Sequence, residues 1–262
     1  MIPYLEWRVI DLGPVHIQVW GLFVAAGILA AVAVGAREAR RTGLESGRFI
    51  DLASTTLVAA FVCARLVHAL FYDPQTYLAD PLRIFRVWEG GMSMTGGILG
   101  GMVGAWYGAA KARLDLRAYA GLMAFALPLG CGIGRIGCFL IHDHPGTLRS
   151  GGFLTVRYPD GDRYDHGLLL SLLGFLTFGA FLALRSKAAG RFPNYLALYL
   201  LAEGGTRFAL DFFRAWDIEV ADARYLGLTP AQYVAVLLVA AGGKMLYTGG
   251  LWVSSSNATK IS

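Results

Sequence analysis

Four charged residues fall inside one apolar stretch of the chain: Glu203, Arg207, Asp211 and Arg214, spaced four, four and three apart. At 3.6 residues per turn this spacing puts them on one helix face, where neighbours can pair. A charge held in hydrocarbon costs about 2.5–3.5 kcal/mol, so each one needs a reason. Either the four neutralise one another as a ladder, or Arg207 or Arg214 is left to hold an anion such as a phosphate. A further arginine stands in the run Gly130-Cys131-Gly132-Ile133-Gly134-Arg135-Ile136-Gly137-Cys138. Glycine at this density lets neighbouring backbones approach closely. Arg135 has no acidic neighbour within one turn, so its partner is either a residue of another helix, such as Asp211, or a ligand. A guanidinium is well shaped for bidentate phosphate binding.

Other polar groups interrupt the apolar stretches. Arg65, His68 and Tyr72, at spacings of three and four, line one face; Arg65 is about eight residues from the end of its stretch, too deep to snorkel, and needs a buried partner or a lipid. Gly90-Gly91-Met92-Ser93-Met94-Thr95-Gly96-Gly97 opens another stretch, with Gly100, Gly101 and Gly104 beyond it. No strand precedes it, so close helix packing explains most of these glycines, and irregular backbone lining a cavity the rest. His142-Asp143-His144 is followed by Pro145-Gly146, a turn signal. A metal is not expected there, because alternate residues seldom converge on an ion without a further ligand. A loop carboxylate at the membrane edge is the expected role of Asp143. Cys63, Cys131 and Cys138 show no C-x-x-C spacing, and Cys138 reads as a small buried hydrophobe.

The elements that position these residues are membrane spans. The chain of 262 residues is 56% hydrophobic and 16% charged, against about 25% charged in ordinary soluble domains. Its mean hydropathy is +0.52. These values exclude disorder, coiled coil, collagen and a disulfide scaffold, and leave an all-α integral membrane protein. Seven stretches approach the roughly 20 apolar residues that a bilayer requires: 15–36, 50–72, 92–110, 118–142, 167–185, 194–214 and 228–248. The net charge of +5 lies in short clusters between them, as expected for loops facing anionic lipid; no recognition motif for nucleic acid accompanies it. Lysines and arginines after spans one, three and five and in the tail number 12, including Arg37, Arg40, Arg41, Lys111, Lys187 and Lys260, against seven on the other side. The positive-inside rule then places the N-terminus outside and the C-terminus in the cytoplasm. The two sizeable segments 73–91 and 143–166 are external, in one transmembrane domain covering 1–262.

Taken together, these motifs resemble the bacterial phosphatidylglycerol–prolipoprotein diacylglyceryl transferase family over nearly the whole chain. Ala64-Arg65-Leu66 with Phe71-Tyr72 is similar to its second-span motif, and Val87-Trp88-Glu89-Gly90-Gly91-Met92-Ser93 followed by Gly96-Gly97 to its third-span entrance. Gly134-Arg135-Ile136-Gly137-Cys138-Phe139, with Asp143 and Gly146 downstream, resembles the signature whose arginine is essential in the family. Arg207-Phe208 and Asp211-Phe212-Phe213-Arg214 match the sixth-span motif, both arginines included. The chain departs from the family at Thr95, where a histidine is usual, at Cys138, where asparagine is usual, at Asp143 for glutamate, and at Trp20 for tyrosine. The family's proline-glutamine-leucine-tyrosine-glutamate stretch is replaced by Arg163-Tyr164-Asp165-His166-Gly167.

The resemblance implies a multi-pass protein of the bacterial inner membrane that moves diacylglycerol from phosphatidylglycerol to the lipobox cysteine of a prolipoprotein signal peptide. No cofactor or metal is implied. Arg135, Arg207 and Asp143 would be catalytic. Arg214, Arg65, Trp20, Thr95, Gly96, Gly97, Cys138 and Gly146 would hold substrate within membrane lipid. Glycerol phosphate leaves with developing negative charge, which preorganised arginines stabilise. The thiol must become a thiolate, and its ordinary pKa near 8.5 leaves little ionised at neutral pH. With Thr95 unable to take a proton, Asp143, His142, His144 and His68 remain as bases. The alternative is a divergent paralogue that binds or presents phospholipid without transfer.

Overall fold

The computed structural model of the chain describes residues 1–13, 15–86, 90–149, 151–185, 191–217 and 224–254. Every one of the seven apolar stretches contains a helix: α1 Val19–Arg41, α2 Ser46–Phe71, α4 Met94–Lys111, α5 Leu116–Ile141, α6 His166–Ala183, α7 Tyr195–Leu210 and α8 Pro230–Gly249; a short α3, Pro74–Ala79, lies between α2 and α4. Five of them, α1, α2, α5, α6 and α8, are long and apolar enough to cross a membrane. The glycine-rich α4 and the 16-residue α7 fall outside that set. The chain is thus a mostly helical, multi-pass membrane protein.

It is not helical throughout. Within 143–166, strands β3 Pro145–Leu148, β4 Thr155–Tyr158 and β5 Gly161–Asp165 form an antiparallel sheet in the order β3-β5-β4. Val9–Leu12 (β1) pairs with Val15–Gln18 (β2), and Arg191–Pro193 (β6) with Trp252–Ser254 (β7). Short strands with half-polar composition carry no apolar run, so hydropathy alone does not reveal them.

The chain divides into two compact units: residues 1–35 with 121–254, and residues 36–120. In the first, the glycines of α5 work on two faces. A Cβ on Gly130 would lie 2.9 Å from the Gly27 carbonyl oxygen, and one on Gly137 would lie 3.1 Å from Trp20 Cα, so that face belongs to α1. Gly132 lies under the ring of Phe175, and its carbonyl accepts from Ser171 Oγ at 2.8 Å, so the other face belongs to α6. Phe125, Phe178, Phe181 and Tyr195 join α5, α6 and α7 in an aromatic core. Helix α8 starts with a capping box of Thr229 and Gln232 over Pro230. The Gln232 amide also donates to the Phe208 carbonyl of α7 at 3.0 Å. Gly204 and Gly242 let α7 and α8 meet backbone to side chain.

In the second unit α4 presents Gly96, Gly100, Gly104 and Gly108, spaced four apart, to Cys63, Ala59, Thr55 and Leu52 of α2. This is small-xxx-small packing extended over three steps.

Candidate active site

Helix α5 carries the first elements of the site. With two of its faces committed to α1 and α6, Arg135 lies beside a cleft lined by Cys131 of its own helix, Leu170 and Thr177 of α6, and Tyr199, Glu203 and Thr206 of α7. Its one hydrogen bond among the described residues runs from Nη1 to Cys138 Sγ, 3.8 Å away. Arg207, on α7, is half-buried, and its charged neighbours are Arg135, Glu203, Asp211 and Arg214. Its guanidinium makes no ion pair within 4 Å and no hydrogen bond among the described residues. Arg135 and Arg207 are thus charged neighbours in a part-buried setting, with Glu203 near both and no ion pair within 4 Å on either among the described residues. Like charges so placed repel unless an anion joins them.

Of the two readings of this face, a continuous charge ladder is not what forms. Helix α7 stops at Leu210, Asp211–Phe213 continue as a 3₁₀ turn, and Arg214 is extended. Buried Asp211 accepts a short hydrogen bond from the Thr229 hydroxyl and meets Arg214 Nη1 at 3.7 Å. The cap of α8 therefore draws Asp211 away from Arg207, and no pair links Asp211 to Arg135. Arg214 is brought alongside β3 by a backbone bridge to Gly146. A Cβ on Gly146 would lie 2.8 Å from the carbonyl oxygens of both Phe213 and Tyr164, so only glycine fits this crossing. Gly146 thus places the chain that carries Arg214.

Cys138, Asp143 and His144 meet at the C-terminal end of α5. One ligand-type atom from each lies within 4.8 Å of the others. Trp20, on α1, packs against Gly137, next to Cys138. His142 turns away from this group, with φ +50°. Its Nδ1 is 2.8 Å from Asp165 Oδ2, which also accepts from the Tyr158 hydroxyl at 2.7 Å, and Tyr4 stacks on its ring. Burial first, and then the neighbouring Asp165 carboxylate, push the Tyr158 hydroxyl's pKa up. Asp165 also caps α6 through Leu168 N–H at 2.9 Å. Buried Arg163 ties β5 to the segment after α7, donating to Asp217 at 3.0 and 2.7 Å, to Asp160, and to the Gly146 carbonyl at 2.9 Å. These bonds hold Asp160 and Asp217 below the usual carboxylate range and push Arg163 up.

In the other unit Arg65 is buried and fully engaged. It donates to the carbonyls of Ile84 (2.9 Å), Arg83 (2.7 Å), Arg86 (3.0 Å) and Gly91 (3.0 Å), and in a short bond to Gly90, with its guanidinium 5.1 Å from the Tyr77 ring centroid. The partner is backbone: Arg65 clasps the segment after α2, and its donors are not available for a lipid phosphate. Gly90 and Gly91 adopt φ of +82° and +76°, the left-handed region this clasp requires. Ser93 caps α4 through Gly96 N–H at 3.3 Å, and Thr95 is exposed in the first turn. Gly96 is needed for contact with α2; Gly97 has room for a Cβ, its nearest neighbour Ala64 Cβ lying 3.7 Å away. The Val87-Trp88-Glu89 part of the third-span motif lies outside the described residues.

Residues 8–248 match the prolipoprotein diacylglyceryl transferase family. The chain belongs to that family. Phosphatidylglycerol–prolipoprotein diacylglyceryl transferase of Chromohalobacter salexigens is 32% identical over 243 residues, covering 92% of this chain and 91% of that protein. The protein of the same name from Xanthomonas axonopodis pv. citri is 30% identical over 88% of this chain and 87% of its own length. That of Pseudoalteromonas atlantica is 27% identical over 92% and 88%.

Arg135, Arg207 and Arg214 all lie in the first compact unit. Sequence reasoning missed the roles of Asp165, Tyr158, Arg163 and Asp217, which hold His142 and the Gly146 carbonyl. Asp165 had a readable signal, since an aspartate directly before the apolar run from Gly167 is an N-cap position. The others are joined by strand register, which leaves no mark on a single sequence.

Proposed function

We propose that the chain transfers the diacylglyceryl group of phosphatidylglycerol to the lipobox cysteine thiol of a prolipoprotein, the first step of lipoprotein maturation, acting as one transmembrane domain of the bacterial inner membrane. Family membership and the names of its relatives support the reaction. The observation that carries it to particular residues is the Arg135–Arg207 pair, two neighbouring guanidiniums in a part-buried site, neither making an ion pair within 4 Å among the described residues.

In this reading the lipid phosphate lies between Arg135 and Arg207, with Arg214 at the edge. The thiol sulfur attacks the glyceryl carbon bonded to the phosphate oxygen. A C–S bond forms, the C–O bond breaks, and its electron pair leaves on the phosphate of glycerol phosphate. The arginines are in place before the charge develops, which is the arrangement that lowers the barrier. Asp143, Cys138 and Trp20 stand where the thiol arrives; Thr95, Gly96 and Gly97 would hold lipid, and Arg65 acts through the clasp. Seven spans, with the N-terminus outside and the sheet of 143–165 on the outer face, follow from the excess of cations on the opposite side.

The test uses the purified protein, phosphatidylglycerol vesicles and a lipobox peptide with one cysteine. A diacylglyceryl mass on the peptide, lost in Arg135→Ala and Arg207→Ala, is the expected result. A folded protein that binds phosphatidylglycerol and adds no mass would replace the transferase with a lipid-binding paralogue.

A further inference from the structure

The thiol still needs something to take its proton, and the family's histidine position is Thr95, whose hydroxyl cannot do so at neutral pH. The group at the end of α5 offers an answer. Cys138 Sγ, an Asp143 carboxylate oxygen and a His144 ring nitrogen lie within 4.8 Å of one another. Two of the three come from a two-residue turn and the third from the last turn of the helix. The alternate histidines of His142-Asp143-His144 do not converge, because His142 is committed to Asp165. The further ligand comes instead from Cys138.

We propose that Cys138, Asp143 and His144 form a divalent-metal site, matched to zinc, whose open position takes the substrate thiol. Sulfur, carboxylate oxygen and imidazole together form a donor set that zinc favours, and three protein ligands with one open place describe its catalytic sites. A tetrahedral ion with the usual bond lengths of about 2.0–2.3 Å separates its ligand atoms by about 3.3–3.8 Å, within reach of small side-chain rotations from the present spacing. Thiolate and carboxylate supply two negative charges against the two of the ion, with imidazole neutral.

Three further observations support the site. His144 Nδ1 is buried and meets Asp143 Oδ1 at 2.5 Å, so imidazole and carboxylate already lie side by side. Arg135 Nη1 donates to Cys138 Sγ at 3.8 Å, the outer support that a thiolate ligand receives. The His144 carbonyl accepts from His166 N–H at 3.1 Å, which fixes the turn. Asp143 and His144 are also about one-third exposed, leaving a way in for both ion and thiol.

The chemistry balances without a separate base. The incoming R–SH displaces water from the fourth position and loses its proton to solvent, since a thiol on zinc is deprotonated outright. Its sulfur then attacks the glyceryl carbon as described above, and the leaving electron pair goes to the phosphate held by Arg135 and Arg207. This inference rests on the transferase reading for its substrate, but the metal site stands on its own residues.

The experiment separates the two. Full-length protein in detergent, stripped with chelator and supplied with zinc alone, is expected to retain about one zinc per chain. Cys138→Ser and His144→Ala are each expected to weaken binding by at least about tenfold. Cobalt in place of zinc should show sulfur-to-metal charge-transfer absorption, lost in Cys138→Ser and kept in Arg207→Ala. Peptide transfer is then measured on stripped and reloaded protein. A folded wild type that holds neither metal, or transfer undiminished after stripping, overturns the metal site and leaves the transferase standing. Zinc bound with the cobalt signature but no transfer by the reloaded wild type sustains the site and overturns the transferase reading.

Discussion

The guanidinium of Arg135 lies 3.8 Å from the sulfur of Cys138, one turn along the same helix. This contact joins the residue that would hold phosphate to the one that departs from the family's usual asparagine. A change at position 138 therefore acts on both substrates. Cys138→Asn restores the usual residue, yet it is expected to lower transfer at neutral pH by about 100-fold or more, the scale of lost proton management. Adding Thr95→His to it should recover most of that loss. Peptide mass kinetics on the single and double variants check this, and an active single variant would argue against a thiol-activating role for Cys138.

Arg207→Ala should reduce kcat/KM by about 10²–10³, the scale seen when one preorganised donor to a developing anion is removed. Arg207→Lys keeps the charge but loses the planar fork, and should recover only part. Because no protein hydrogen bond depends on the Arg207 guanidinium among the described residues, the thermal midpoint should hold or rise. Calorimetry or a thermal-shift assay in detergent reads the stability side. A fall in midpoint equal to that of a core variant would show a structural role instead.

Gly130→Val places a side chain where a Cβ alone would lie 2.9 Å from the Gly27 carbonyl and 3.0 Å from Ala31 Cβ. Overpacking of this kind costs about 1–3 kcal/mol, and at about 2–4 °C per kcal/mol the midpoint should fall by several degrees. Gly97→Ala on α4, whose Cβ would have ordinary contacts, is the matched control and should be nearly neutral.

Arg163 holds Asp160 and Asp217 below their ordinary values. A carboxylate whose folded pKa is lowered adds stability above its unfolded value, near 3.9, and that stability is lost as pH falls through the folded pKa. The sheet of 145–165 should therefore loosen in acid below about pH 4, and Arg163→Gln should be less stable at neutral pH with a flatter acid dependence. Limited proteolysis against pH measures both. Asp160 is more than half exposed, so the larger share is expected from Asp217, and Asp217→Asn should reproduce most of the effect.

Apolar periodicity and length by themselves determined that the chain crosses a membrane, and roughly where, because hydrocarbon accepts only long helices with satisfied backbone. They also marked Arg135, Arg207 and Arg214 as needing partners, since a charge in an apolar run stands out without any knowledge of neighbours. What those charges meet was decided in three dimensions. Arg65 and Arg135 look alike in sequence, each a lone arginine in an apolar helix. One is spent on the backbone carbonyls of Ile84, Gly90 and Gly91, and the other, among the described residues, hydrogen-bonds a sulfur alone. The even spacing from Glu203 to Arg214 suggested a continuous face, but Thr229, 18 residues beyond Asp211, takes that carboxylate and the helix ends before it. Cys138, Asp143 and His144 converge because the chain turns at the end of α5 and the sheet pins the turn through Gly146 and His166. A hydrogen bond or ligand site needs atoms within a few ångströms, and only the packed fold brings residues distant in the chain to that separation.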